Sequence, residues 1–351
     1  MDSEPRSKES HALGYLCVDR FLANPIVVSA LHHCWIRGWI DRWILEGVIQ
    51  FDDPPPNAPV LEAVLKDAQI ATAQNDSLVL SEEFKWAWSY SDLMTTKLEF
   101  CREILSDIEA FGLWLENPEG FQGHSKLFGM FDYSKCVEIE PGNIHSTARW
   151  VKLTTVLSRY EAPLFFETIP WEEHRSWLDL GGNSGEFAMQ VCRRFPDLHA
   201  TVLDLPVVCY LGKKHVDSFG MSERVGFQAS HFFSDFLDDF PENRMDRKYD
   251  LVSFKSVLHD WPEEHALELI KKAWGKLIPG GRFVVIERAK FPGSIVPLGL
   301  GQAPVWMFWN YYRAPSFYES ILQKHFQVSA ETQIVHADMT WMVIQVVKPL
   351  T

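Results

Sequence analysis

The chain is short of basic residues, and this shortage excludes one class of partner. Its 351 residues include 33 Lys and Arg against 47 Asp and Glu, a formal net charge of −14. A protein that binds a nucleic-acid backbone usually presents a basic face, so we expect no nucleic-acid partner. No apolar run approaches the ~20 residues that a membrane span requires. We therefore expect no membrane partner either.

Cysteine is also sparse, and its spacing argues against disulfides. The 6 cysteines are scattered and form no C-x-x-C pair, which favours reduced, mostly buried thiols in a cytoplasmic protein. The first residues are charged and polar, so we predict a loose tail at 1–10 rather than a signal peptide. No H-E-x-x-H motif occurs, and His259 and His265 do not have the i, i+4 spacing of a helical metal pair. No metal site is predicted.

What the sequence does contain is an apolar segment that leads into a glycine-rich turn. Residues 176–180 are followed by Gly181, Gly182 and Gly185, and then by apolar residues at helical spacing. This order predicts a strand, a tight turn and a helix. Glycine permits positive φ and lets a ligand approach the main chain, while the start of the helix offers free N–H groups. Asp179, near the end of the strand, can bind a ligand ammonium.

Three kinds of ligand use such a turn, and the spacing separates them. A Walker phosphate loop needs a Lys directly after its last Gly, and none follows Gly185. A dinucleotide fingerprint needs G-x-G-x-x-G, but Asn183 stands at the position of the second Gly. The pattern D-x-G-x-x-x-G suits S-adenosylmethionine, whose methionine end carries an ammonium and a carboxylate. A structural turn without a ligand is the alternative.

A second acidic residue ends the next predicted strand. The segment 199–203 leads to Asp204, which lies at a normal strand–helix–strand spacing beyond Gly185. An acid in this position can accept hydrogen bonds from both ribose hydroxyls of a nucleoside. A helix N-cap or a turn is the alternative role for Asp204.

From residue 171 onward the sequence alternates predicted strands with helices, which indicates a parallel sheet with helices on both faces. The predicted strands are 176–180, 199–203, 250–255 and 282–287. Earlier in the chain, residues 60–83 indicate a helix, a two-stranded hairpin with an Asn75-Asp76 turn, and a helix cap. This is the outline of a winged helix. Its helix carries one Lys together with Glu62 and Asp67, so DNA binding is not expected.

A histidine follows the strand 250–255, close to its carboxyl end. Ligands bind parallel sheets at this edge, so His259 lies where a methyl donor is expected. An imidazole there can remove a proton from an acidic hydroxyl at neutral pH. Glu287 ends the neighbouring strand and is within reach of the His259 ring, where it can fix the tautomer. A histidine that only caps or packs the loop is the alternative.

Four segments together resemble a known family. They are LDLGGNSG, VLDLP, FKSVLHDWPEEHA and IPGGRFVVIE. They resemble the S-adenosylmethionine-dependent O-methyltransferases of small aromatic hydroxy compounds, which include the caffeic-acid and hydroxyindole types and bacterial secondary-metabolism relatives. The resemblance is strong over 176–290 and diffuse in the N-terminal half. It implies a Rossmann-like, doubly wound methyltransferase domain at 171–351, a connecting helix at 144–170 and a helical, winged-helix-like dimerisation domain at 11–143.

The resemblance also implies roles for individual residues. His259 is expected to be the general base and Glu287 the acid that orients it. Ser146 comes from an H-S-T match that lies about ten residues farther from the glycine turn than in the family. The residues implied in cofactor binding are Ser146, Asp179, Gly181, Gly185, Asp204, Leu205, His231, Phe232 and Lys255.

The resemblance breaks down in the aromatic stretch 301–313, which we interpret as a substrate lid, with a core helix as the alternative. The substrate pocket is predicted from His145, Trp306, Trp309, Asn310 and Tyr312. Where the family has a second acid beside the base, this chain has Tyr312. We therefore expect His259 to have a single acidic neighbour.

The resemblance implies methyl transfer from S-adenosylmethionine to a hydroxyl of a small aromatic metabolite, by a homodimer. Two alternatives stay open. The same cofactor pocket can serve C- or N-methylation, or a rearrangement without methyl transfer. The chain can also be a winged-helix regulator that senses a small ligand, although its acidic charge speaks against DNA binding.

Overall fold

The structure is a computed structural model that describes residues 12–230, 232, 248–292, 294, 296 and 299–350. The chain divides into two compact units, Met1–Gly129 with Pro297–Met307, and Met130–Val296 with Phe308–Thr351. The predicted domain ranges assign 130–143 to the first domain and 297–307 to the second. In the structure, 130–143 belongs to the second unit and 297–307 to the first.

The first unit is mainly helical. Its core contains large aromatic side chains, among them Trp43 and Phe84. Its α-helices are Cys17–Arg20, Pro25–Ile36, Trp39–Glu46, Ala58–Asp67, Glu82–Trp88, Ser91–Glu103, Leu105–Glu109, Phe111–Glu116, Pro118–Gln122 and Ala303–Met307, and Lys126–Met130 ends at the boundary. Short 3-10 turns lie at Gly14–Leu16 and Leu300–Gln302.

Within the described part of the chain, no single helix has the length and apolar character to cross a membrane. One pair of helices, Gly14–Arg20 with Pro25–Ile36, is bent by 109° and meets the criteria for a membrane span by length and composition only. In this pair Val18, Val28 and Leu31 are buried.

A β-hairpin follows the helix Ala58–Asp67. Strands β1 (Ala71–Gln74) and β2 (Ser77–Leu80) pair antiparallel. Asn75 and Asp76 have φ of 47° and 60°, the left-handed conformation that a two-residue hairpin turn requires and that these residues tolerate. Ser81 Oγ then accepts the N–H of Phe84 at 3.2 Å and caps the next helix. The predicted hairpin and cap are confirmed, while the winged-helix assignment stays a prediction.

The second unit is built on a seven-stranded sheet with the order β5-β4-β3-β6-β7-β9-β8. Strands β3 to β7 run parallel, and β9 runs antiparallel to both of its neighbours. The strands are β3 (Ser176–Leu180), β4 (His199–Asp204), β5 (Val225–Ala229), β6 (Tyr249–Lys255), β7 (Leu277–Arg288), β8 (Glu331–His336) and β9 (Thr340–Val347). Strands β5, β8 and β9 add to the four that the sequence predicts.

Helices cover both faces of this sheet, as the alternation predicts. Successive residues of β3 point to opposite faces, so Trp177 belongs to one buried cluster and Leu178 to the other. The helices are Pro141–Glu161, Glu186–Arg194, Pro206–Ser218, Glu263–Lys276 and Pro315–Phe326, with 3-10 turns at Tyr133–Cys136, Ala162–Phe165, Trp171–Glu173 and Leu258–Asp260. The strand order reverses between β3 and β6, and such a point opens a crevice at the carboxyl ends of the strands.

Candidate active site

The glycine-rich turn joins β3 to the helix Glu186–Arg194 at this reversal point. Gly181 and Gly185 have φ of 70° and 75°, in the left-handed region that favours glycine. A Cβ on Gly181 would lie 2.6 Å from the side chain of Val257 and 3.5 Å from the ring of Phe232. A Cβ on Gly185 would lie 2.8 Å from Phe227. Both positions therefore require glycine.

Asp179 lies at the carboxyl end of β3 and is fully buried. Trp177 Nε1 donates to Ser253 Oγ at 2.8 Å, and this hydroxyl donates to Asp179 Oδ1 at 2.9 Å. Asp179 Oδ2 is buried and has no hydrogen-bond partner among the described residues. Burial raises the pKa of Asp179 to about 7, although the Ser253 hydrogen bond and the Lys255 charge act in the opposite direction. An unpartnered buried acceptor of this kind suits a ligand that donates a hydrogen bond.

Asp204 connects the end of β4 to the glycine turn. Its Oδ2 accepts the backbone N–H of Asn183 at 2.8 Å, and its Oδ1 accepts that of Leu205 at 2.7 Å. Burial raises the pKa of Asp204 to about 6, against the effect of these two hydrogen bonds. Each oxygen keeps a lone pair with which it can accept a ligand hydroxyl.

A pocket lies over the turn and is closed on one side by the helix Pro141–Glu161. The helix contributes Thr154, Leu157 and Ser158, in its C-terminal half. The predicted cofactor residue Ser146 lies twelve residues before Ser158, roughly 18 Å along a helix, and does not line the pocket. The role of Ser146 in cofactor binding stays a prediction.

A buried ion cluster forms another wall of the pocket. Glu161 accepts from Lys255 Nζ at 2.6 Å and from Arg288 Nη2 at 2.9 Å. Arg288 Nη2 also lies 3.1 Å from Asp338. The ammonium of Lys255 lies 5.2 Å from the centre of the Trp341 ring. Lys255 thus borders the pocket, and its role in cofactor binding stays a prediction. The sequence analysis missed Glu161 and Arg288.

His259 lies in the 3-10 turn after β6 and is held by Glu287 at the end of β7. The distance between His259 Nδ1 and Glu287 Oε2 is 2.7 Å. Glu287 Oε1 accepts the backbone N–H groups of Val257 and Leu258 at 2.9 and 2.8 Å. Burial lowers the pKa of His259, but the charges of Glu287 and Asp260 outweigh it, so the pKa lies above its ordinary value. Burial raises the pKa of Glu287, but the His259 charge and these hydrogen bonds bring it below its ordinary value.

A second carboxylate lies beside the other ring nitrogen, so the expectation of a single acidic neighbour is wrong. Asp260 Oδ1 is 3.4 Å from His259 Nε2, and Asp260 Oδ2 accepts the hydroxyl of Tyr133 at 2.9 Å. The 3-10 turn brings the carboxylate of Asp260 next to the ring of the residue before it. The rings of Tyr312 and Phe308 lie 5.2 and 5.9 Å from the His259 ring.

The other predicted pocket residues are not gathered in one place. Trp306 belongs to the first unit, where Phe111 and Trp114 pack against it edge-on. The centre of the Trp309 ring lies 5.4 Å from the ammonium of Lys290. His145 and Asn310 are exposed. His231, a predicted cofactor residue, lies outside the described residues.

Within the described residues, no group of three or more His, Cys, Asp or Glu could hold a metal ion.

Comparison with known protein families gives one match. Residues 126–292 match the O-methyltransferase domain family. The matched segment spans just under half of the chain. It contains the glycine turn, both acids, His259 and Glu287, and it confirms the family resemblance.

Relatives of the O-methyltransferase domain include an enzyme named 3-hydroxy-5-methyl-1-naphthoate 3-O-methyltransferase from Streptomyces sahachiroi. It is 32% identical over 113 residues, which are 32% of this chain and 30% of that protein. Human acetylserotonin O-methyltransferase is 36% identical over 109 residues, 31% of this chain and 29% of that one. The alignments thus span about a third of the length of these relatives.

A solved structure extends the comparison to the whole chain. The crystal structure of human N-acetylserotonin methyltransferase in complex with S-adenosylmethionine has a TM-score of 0.67 and 16% identity. The match covers 99% of this chain and 100% of that one. At this identity the likeness shows a shared fold, and it confirms the predicted α/β architecture preceded by a helical region.

Proposed function

We propose that this protein transfers a methyl group from S-adenosylmethionine to a hydroxyl of a small aromatic metabolite, with His259 as general base. The observation that carries the proposal is a buried His259–Glu287 pair at the ends of β6 and β7, in the same unit as the pocket over the glycine turn. The match to the O-methyltransferase domain family supports the same reaction class.

The residues around the turn fit the cofactor. Asp179 would accept its ammonium, because Oδ2 is buried at the pocket wall without a partner in the described structure. Asp204 would bind the ribose hydroxyls, and Phe232, whose ring has an atom close to Gly181, would stack on the adenine. When bound, S-adenosylmethionine supplies a methyl group that its sulfonium has already activated.

The chain then has to align the substrate and remove one proton. Alignment of two reactants can contribute about 7–11 kcal/mol. His259 Nε2 takes the hydroxyl proton, while Nδ1–H donates to Glu287 and the carboxylate stabilises the imidazolium that forms. Proton removal of this kind contributes about 10²–10⁴-fold. Tyr312 and Phe308 give the space beside His259 aromatic walls, which suit a flat aromatic substrate.

The test measures turnover and cofactor binding separately. Labelled S-adenosylmethionine is incubated with hydroxynaphthoates, N-acetylserotonin and related phenols, and calorimetry measures the affinity for S-adenosylhomocysteine. We expect His259→Ala to reduce turnover by about 10²–10⁴-fold with little change in affinity. Asp204→Ala should mainly weaken binding. His265→Ala, at an exposed histidine on the next helix, is the matched control.

Two outcomes would contradict the proposal. If His259→Ala loses affinity and turnover equally, the histidine is structural. If the folded wild-type protein takes up neither S-adenosylmethionine nor S-adenosylhomocysteine, the cofactor assignment is wrong.

We further propose that the protein is a homodimer. The first unit exposes several large apolar side chains, including Ile26, Ile36 and Leu45, and the last of these is 86% exposed. Contiguous apolar surface is typical of subunit interfaces, and in this proposal these side chains contribute to one. Light scattering after size-exclusion chromatography should give twice the chain mass of 40.5 kDa, and Leu45→Glu should lower it. A monomer at micromolar concentration would contradict the proposal. The cytoplasmic location stays a prediction.

A further inference from the structure

We propose that Ser256 is a cofactor-binding residue, whose hydroxyl binds the carboxylate at the methionine end of S-adenosylmethionine. In this proposal Glu161 is a positioning residue that holds Lys255 and Arg288 at the same wall of the pocket. The inference rests on the proposed function, because it assigns one end of the same ligand.

The first observation is the backbone conformation of Ser256. Its φ is 54°, which places a residue with a Cβ in the left-handed region directly after β6. Such a conformation costs free energy and persists where the surrounding structure enforces it, often at a ligand site. Here Ser256 N–H donates to Ile286 O at 2.9 Å, and the next N–H, of Val257, donates to Glu287 at 2.9 Å. The strand end is thus fixed between its neighbours.

The second observation is the hydroxyl itself. Ser256 lines the pocket together with Asp179 and Gly181. Its Oγ is buried and has no hydrogen-bond partner in the described part of the chain. Buried hydroxyls are normally paired, because an unpaired one loses its hydrogen bonds to water. Among the described residues, the pocket wall therefore offers an acceptor on Asp179 and a hydroxyl on Ser256 that both lack a partner.

The third observation is the charge pattern at this wall. The cations of Lys255 and Arg288 are balanced by the carboxylates of Glu161 and Asp338. Arg288 Nε is a further buried donor without a partner among the described atoms. A ligand end with one ammonium and one carboxylate suits this arrangement: the ammonium faces Asp179, and the carboxylate faces Ser256 and the two cations.

Three ligands separate the parts of the cofactor. S-adenosylhomocysteine carries the whole amino-acid end, its decarboxylated analogue keeps only the ammonium, and 5′-methylthioadenosine lacks both groups. Calorimetry on the full chain measures their affinities for the wild type and for two variants, Ser256→Ala and Ser256→Gly. Both variants lack the hydroxyl, but glycine also relieves the left-handed backbone. The comparison therefore separates the hydroxyl from the conformation.

We expect both variants to bind S-adenosylhomocysteine about tenfold or more weakly, the usual effect of a hydrogen bond to a charged group. Affinity for the decarboxylated analogue and for 5′-methylthioadenosine should not change. Glu161→Gln, which keeps the shape and removes the charge, should show the same selectivity. Thermal melting confirms that each variant is folded.

Several results would overturn the proposal. One is an equal loss for S-adenosylhomocysteine and 5′-methylthioadenosine, which would indicate a disturbed loop. Another is a loss shared with the decarboxylated analogue, which would place the hydroxyl on the ammonium. A third is wild-type affinity in Ser256→Gly, which would leave the hydroxyl without a role. If the wild type binds none of the three ligands, the proposed function itself fails.

Discussion

The substitution Glu287→Gln tests the catalytic pair most directly. Glu287 is fully buried, and its two oxygens have separate partners, His259 Nδ1 on one and the N–H groups of Val257 and Leu258 on the other. A glutamine can keep the two backbone hydrogen bonds with its amide oxygen. Its NH₂ group then faces Nδ1 and can only donate to it. The ring must therefore carry its proton on Nε2, the nitrogen that has to accept the substrate proton.

We expect this change to remove most of the contribution of the base. General-base catalysis is worth about 10²–10⁴-fold, or about 2.7–5.4 kcal/mol at 1.36 kcal/mol for each factor of ten. Affinity for S-adenosylhomocysteine should stay close to that of the wild type. The loss of the Glu287 charge should also lower the pKa of His259, because this charge is what raises it most.

Two assays check this prediction. The first assay measures turnover of Glu287→Gln with labelled methyl donor. Its control is Glu264→Gln, which removes an exposed charge from the start of the following helix. Nitrogen-15 NMR reports the tautomer and the pKa of the ring without any substrate, and His259→Asn assigns its signals. Full turnover in Glu287→Gln, or an unchanged tautomer, would refute the reasoning.

Three further predictions follow from the same geometry. His259 must be neutral to act as a base, and its pKa is raised. We therefore expect kcat/KM to rise with pH to a plateau, with the midpoint of the rise above 6.5, the ordinary pKa of histidine. A midpoint below 6.5 would contradict the geometry. Asp179 has a pKa of about 7 and must ionise to bind an ammonium. Affinity for S-adenosylhomocysteine should therefore rise between pH 6 and 8 with release of a proton, and Asp179→Asn should abolish this dependence in calorimetry; a flat wild-type profile would argue against it. Gly181→Ala places a Cβ 2.6 Å from Val257 at positive φ, so it should lower both the melting temperature and the affinity for the nucleoside; a wild-type melting curve would exclude the expected clash.

Much of the second unit can be read from the sequence, because the signals are local. The alternation of apolar strands and helices predicts a parallel sheet, and the glycines at 181 and 185 predict a turn with positive φ. Parallel strands end at the same edge, so the positions of His259 and Glu287 after neighbouring strands predict their contact. Strands β8 and β9 were not predicted, because a hairpin that returns antiparallel to the edge does not follow the strand–helix alternation.

The aromatic stretch 301–313 shows why the substrate pocket was harder to predict. Trp306, Trp309 and Tyr312 lie within one turn or two of each other in the sequence, and aromatic composition alone assigns them the same role. The structure divides them, with Trp306 in the first unit and Tyr312 against His259 in the second. The sequence pattern does not say which ring faces which neighbour.

Short segments of the sequence thus determine the local chemistry of the site. They supply a glycine turn, acids at two strand ends, and a histidine with its carboxylate. Two features arise only when the helices pack on the sheet. These are the turn of the helix Pro141–Glu161 that faces the pocket and the hydrogen bonds of Glu161 to Lys255 and Arg288, which lie 94 and 127 positions away in the sequence. Such contacts depend on how elements that are far apart in the sequence pack together, and no short-range sequence pattern encodes that packing.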